Sequence, residues 1–169
     1  MQPTNMVFEP VILAADDRED DIELTRQALV RANVLNPLQV ARDGEEAIQY
    51  LEGTGRFSNR AEYPLPDLML LDLKMPKLNG FEVLQWVRSH PTLKGLRIVV
   101  LTTSEEDSDI DRSYQLGANA FLVKPCDFKR YCMLIEATLF FWLQLVRSPS
   151  ICRRASGLEP REQYLSWAE

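Results

Sequence analysis

Three runs without a polar residue, Val11-Ile-Leu-Ala-Ala15, Leu68-Met-Leu-Leu71 and Ile98-Val-Val-Leu101, limit what this chain can fold into. A strand with one wet face alternates apolar and polar residues. Unbroken runs need apolar cover on both faces, which a parallel sheet between two helical layers supplies. The segments between the runs carry helical spacing. The pattern predicts helices over 22–32, 43–51, 81–88, 107–116 and 128–146, strands over 38–41 and 118–123, and a loop over 53–66. Right-handed crossovers then lead to an α/β fold, a doubly wound five-stranded parallel sheet with a long C-terminal helix and a short tail.

The remaining composition narrows the class. With 169 residues the chain has room for one full core and little beyond it. A formal net charge of −6 argues against nucleic-acid binding, which draws its affinity from basic side chains. No apolar run approaches the roughly 20 residues of a membrane span. The first ten residues lack the basic and apolar regions of a signal peptide, so a cytoplasmic protein is expected. Three cysteines, Cys126, Cys132 and Cys152, form no CxxC pair and suit reduced thiols. A single histidine, His90, excludes sites built from several imidazoles. Pro149 and Gly157 oppose continuation of the last helix. The expected division is one domain over 8–146 and an extension over 147–169 that is too short for an output domain.

In such a sheet, ligands gather outside the carboxyl ends of the strands. Those ends are chemically unusual here. The first run leads into Asp16-Asp17, the third strand into Asp72, the fourth into Thr102-Thr103 and the fifth into Lys124-Pro125. Three clustered carboxylates repel one another and favour a bound cation, and oxygen ligands suit Mg²⁺. A carboxylate beside Mg²⁺ and an ammonium is an arrangement for accepting a phosphoryl group, whose charge both cations neutralise.

The Asp16-Asp17 pair, the run Asp72-Leu-Lys-Met-Pro-x-x-x-Gly80, the Leu-Thr-Thr strand end and Lys124-Pro125 resemble the receiver domain of two-component response regulators. The intervals of 30 residues from Asp72 to Thr102 and 22 from Thr102 to Lys124 agree with the chemotaxis-type receiver. The resemblance covers residues 8 to 146 and implies the strand order 2-1-3-4-5. It implies Asp72 as phosphoacceptor, and Asp17, Asp72 and the Lys74 backbone carbonyl as Mg²⁺ ligands, with Asp16 acting through metal-bound water. It further implies Thr102 as the switch hydroxyl, Phe121 as the switch aromatic, Lys124 as partner of the phosphoryl group, and a cis peptide before Pro125. The protein would then be a phosphoacceptor, not an enzyme with a separate substrate.

Plainer readings cover the neighbours. Asp20, Asp21 and Glu23 read as a solvated helix start, where acids suit the helix dipole. Asn79-Gly80 reads as a tight turn with positive φ at the glycine. Cys126 reads as a small packing residue. A rival function is a haloacid-dehalogenase-like phosphatase with an aspartyl-phosphate intermediate. Those enzymes place an acid–base Asp two residues after the nucleophile, where this chain has Lys74.

The segment Leu139-Phe-Phe-Trp-Leu-Gln-Leu-Val146 has one polar residue in eight, more apolar than a helix covering a sheet requires. Its Phe-Trp-Leu-x-x-Val-Arg-x-Pro pattern and the loop over 53–66 resemble the small response regulators of cyanobacterial and bacterial phytochromes. That implies a stand-alone regulator with a phytochrome-type sensor histidine kinase as partner. The alternative is a relay intermediate for an unrelated sensor. A stripe of Cys132, Ile135, Leu139 and Trp142 is expected on the sheet; Phe140, Phe141 and Leu143 to Leu145 cannot all join it, and those left outside are expected to make a homodimer through the final helix.

Overall fold

The computed structural model describes residues 10–34 and 37–146. The chain alternates β1 (Ile12–Ala15), α1 (Glu19–Arg31), β2 (Gln39–Ala41), α2 (Gly44–Glu52), β3 (Leu68–Leu71), α3 (Gly80–Ser89), β4 (Ile98–Thr102), α4 (Asp107–Gln115), β5 (Ala120–Val123) and α5 (Phe128–Leu139). The five strands pair in parallel in the order β2-β1-β3-β4-β5. Every residue of β1, β3 and β4 is buried, as strands covered on both faces must be.

Alternate residues of each strand feed two cores. Leu13, Ala15, Met69, Leu71 and Ile98 pack with Tyr50, Val83, Leu84 and Val87 of α2 and α3. Ile12, Leu68, Leu70, Val99 and Leu101 pack with Ala28, Leu29, Cys132, Ile135 and Leu139 of α1 and α5. The loop over 53–66 contains a 3-10 turn, Gly55–Phe57, that tucks Phe57 against Tyr50 and Tyr63.

Local chemistry sets the boundaries. Helix α1 starts three residues earlier than the apolar spacing predicts, with Glu19, Asp20 and Asp21 in its first turn. Helix α4 ends in Gly117 at φ 94, whose N–H bonds Tyr114 while that of Ala118 bonds Ser113. This reverse-turn cap needs glycine and delays β5 to Ala120. Gly80 does not have the expected positive φ; Lys77, at φ 64, takes the left-handed position instead. Gly80 is required for proximity, since a Cβ there would lie 2.3 Å from the Asp72 carbonyl oxygen. Asn79 caps α3 through a reciprocal pair of bonds with Glu82.

The last helix is not α-helical to Val146. Its α geometry stops at Leu139, and Phe140–Leu145 winds more widely, so that the Val146 N–H bonds the Phe141 carbonyl five residues back. Arg97, buried just before β4, donates to the Trp142 carbonyl and, at 2.8 Å, to that of Val146. Carbonyls that a helix end leaves unpaired are thus satisfied from another element. Residues 147–169, which include the expected extension and Cys152, lie outside the described residues. Among the described residues, no helix is long and apolar enough to cross a membrane.

Candidate functional site

Backbone ladders continue one residue past the strands and so fix the site side chains. The Asp16 N–H bonds Ala41, that of Asp72 bonds Ala15, and that of Lys124 bonds Thr102. Asp16, Asp72 and Lys124 therefore leave the carboxyl edge of the sheet from β1, β3 and β5, with Thr102 closing β4 between the last two. Carboxylate oxygens of Asp16, Asp17 and Asp72 lie within 4.8 Å of one another, Asp17 being the exposed member. This hard-oxygen set fits a divalent cation. Lys74 sits two residues beyond Asp72 with its side chain in solvent.

Lys124 is the buried cation of this edge, 7% exposed. Its Nζ lies 2.5 Å from Asp16 Oδ2, 2.9 Å from Asp21 Oδ2 and 3.8 Å from Asp72 Oδ1. The ammonium is thus hydrogen-bonded to Asp16 and Asp21 and stands off Asp72. Burial pushes the carboxyls of Asp16 and Asp72 above the ordinary range, against the lowering influence of Lys124. For Lys124, burial opposes the charge, but Asp16, Asp72 and Asp21 together raise the ammonium above its usual value. Negative charge exceeds positive charge here, which favours a second cation.

Thr102 is fully buried; its hydroxyl accepts the Ser104 N–H at 3.3 Å and acts on the Asp72 carboxyl to lower its pKa, against the larger effect of burial. Ser104 in turn bonds Asp109 on α4 at 2.6 Å. Phe121 is half-buried against Leu73, Phe81 and Val100, one layer from the acids.

Three of the expectations need correction. Asp21 is not a solvated helix start: it is buried and ion-paired with Lys124. Its spacing to Thr25, Ala28 and Leu29, all buried, was the available signal. The peptide before Pro125 is trans, no described peptide bond being cis; an X–Pro amide favours trans by a small margin. Cys126 is exposed and does not pack, whereas Cys132 does. Of the apolar residues at the end of the last helix, Leu143 packs on the α1–α5 core beside Trp142, and Phe140, Phe141 and Leu145 are the ones left outside it.

A parallel 2-1-3-4-5 sheet with acids, a hydroxyl and an ammonium at its carboxyl edge defines a phosphoacceptor class, and the comparison with known families agrees. Residues 12–136 match the response regulator receiver domain, and the chain belongs to that family. Within it, the chain is homologous to phytochrome response regulators. It is 36% identical over 140 residues to response regulator Rcp1 of Synechocystis sp., covering 83% of this chain and 93% of Rcp1. The phosphorylated cyanobacterial phytochrome response regulator RcpA superposes with a TM-score of 0.78 at 36% identity, over 84% of this chain and 99% of RcpA. The bacteriophytochrome response regulator RtBRR is 43% identical with a TM-score of 0.66, over 88% and 89% of the two chains. Rcp1 has also been solved in a Mn²⁺-bound form.

Proposed function

We propose that Asp72 accepts a phosphoryl group from a phytochrome-type sensor histidine kinase in the cytoplasm, within a receiver domain over 8–146. One observation carries the assignment: Asp72 is the strand-end carboxylate that faces Asp17, Thr102 and the Lys124 ammonium together. Asp16, Asp17 and Asp72 would hold Mg²⁺ with the Lys74 carbonyl, and the bound ion would neutralise equatorial phosphoryl oxygens. An Asp72 carboxylate oxygen forms the O–P bond while the N–P bond to the kinase histidine breaks, its electron pair returning to the imidazole. Lys124 and Thr102 then donate to phosphoryl oxygens, and Phe121 follows Thr102. Lys74 in place of an acid–base Asp disfavours turnover as a phosphatase.

The experiment is phosphotransfer from the histidine kinases of the source organism, with light cycling of any phytochrome among them. Rapid transfer from a phytochrome is expected. Preference for a non-photoreceptor kinase would replace the partner with an unrelated sensor and make the protein a relay intermediate.

Signalling by homodimerisation through the last helix is favoured by its outer stripe. Met133, Phe140, Phe141 and Leu145 are about half exposed or more, as is Val30 on the adjoining α1, an area that water penalises. In a two-fold dimer the stripe is used twice. Phe141→Glu with Leu145→Glu should give monomers by sedimentation that still accept phosphate. Wild-type protein that stays monomeric at tens of micromolar removes the dimer.

A further inference from the structure

The Lys124 ammonium has two hydrogen-bonded carboxylate partners, and one of them belongs neither to the acid triad nor to a strand. Asp21 reaches it from the first turn of α1, 2.9 Å from Nζ, while Asp72 remains at 3.8 Å. Asp21 cannot readily follow the lysine. Its carbonyl accepts from Thr25 Oγ1 at 2.9 Å, and that hydroxyl meets the Tyr131 hydroxyl of α5 at 2.7 Å, both side chains being buried. The turn that carries Asp21 is thereby tied to α5. A phosphoryl group on Asp72 that draws the ammonium toward itself must stretch or break the Asp21 bond. Asp21 has a fallback, because Arg18 Nε lies 3.6 Å from the same Oδ2.

We infer that Asp21 is a positioning residue that holds Lys124 off the phosphoacceptor, so that phosphoryl binding competes with the Lys124–Asp21 ion pair and Asp21 sets how strongly the site grips the phosphoryl group. The two states share one ammonium, and any interaction favouring the unphosphorylated position weakens the other by the same factor. A side chain that merely braced the fold would have no such reciprocal effect. The inference rests on Asp72 as phosphoacceptor, and its test separates the two.

The probe is beryllofluoride, which mimics the acyl phosphate, titrated at saturating Mg²⁺ and read by tryptophan fluorescence or calorimetry. Asp21→Asn keeps the shape and removes the charge, and should tighten beryllofluoride binding by roughly 3- to 10-fold, the scale of one hydrogen bond's net contribution. Asp21→Glu should bind about as wild type does. In a Lys124→Met background, Asp21→Asn should change nothing, since the shared partner is gone. Asp21→Ser serves equally if the Asn variant does not fold. Unchanged or weaker binding by the neutral variants overturns the inference, as does an effect that persists without Lys124. Wild-type protein that binds no beryllofluoride overturns the phosphoacceptor reading, and this inference with it.

Discussion

Two buried cations stand at opposite ends of the same sheet and are held in opposite ways. Arg97, at the amino end of β4, donates to the carbonyls of Trp142 and Val146. Those acceptors are parts of the main chain, and a planar guanidinium matches them in a fixed geometry. Lys124, at the carboxyl end of β5, lies among the carboxylates of Asp16, Asp21 and Asp72. Its donors can rotate and its anions compete for it. A charge bonded to backbone fastens one element to another, whereas a charge shared among side-chain carboxylates can be reassigned when a new anion arrives. The first end of the sheet is architecture; the second is the end we propose to act as the switch.

The contrast can be broken in three ways, in falling order of effect. Lys124→Met leaves three carboxylates without their ammonium and should cost about 3–5 kcal/mol in cation-free buffer at neutral pH. Mg²⁺ should restore much of that loss, as read by urea denaturation with and without the ion. Arg97→Met should cost about 2–3 kcal/mol through the stranded carbonyls and frayed helix end, and Mg²⁺ should restore none of it. Equal rescue of both variants would erase the distinction.

The smallest effect is one of pH. Asp16 and Asp72 sit above the ordinary carboxylate value, by burial first, so a proton on either favours the folded state. The stability this lends is complete below the ordinary value and is lost as pH climbs through the folded one. A bound Mg²⁺ would take the proton's place. The Mg²⁺-induced rise in Tm should therefore grow between about pH 5 and about pH 8, by an amount near 1 kcal/mol in stability. A rise that shrinks over that window would reverse the assigned shifts.

The sheet was legible because runs such as residues 98–101 leave no wet face, and the strand-end chemistry because Asp16, Asp17, Asp72, Thr102 and Lys124 fall where the runs stop. What escaped was decided across the fold. Asp21 has the residue type of any helix start; its spacing to Thr25, Ala28 and Leu29 hints at an inward face, but its partner Lys124 lies 103 residues away. The end of the last helix is set by Arg97, 45 residues from Trp142 in sequence, which no local pattern encodes. Gly80 reads as a turn residue, but the Asp72 carbonyl beside it is what demands glycine.

The most direct test of the central claim is the mass of the phosphorylated peptide after incubation with acetyl phosphate and Mg²⁺. One phosphoryl group labile to strong acid, to base and to hydroxylamine is predicted, on the peptide containing Asp72, and it should vanish in Asp72→Asn because an amide oxygen is too weak a nucleophile. Equal labelling of the Asp72→Asn protein, or a phosphoryl group located on Asp16, Asp17 or Asp21 in the wild type, would contradict the account.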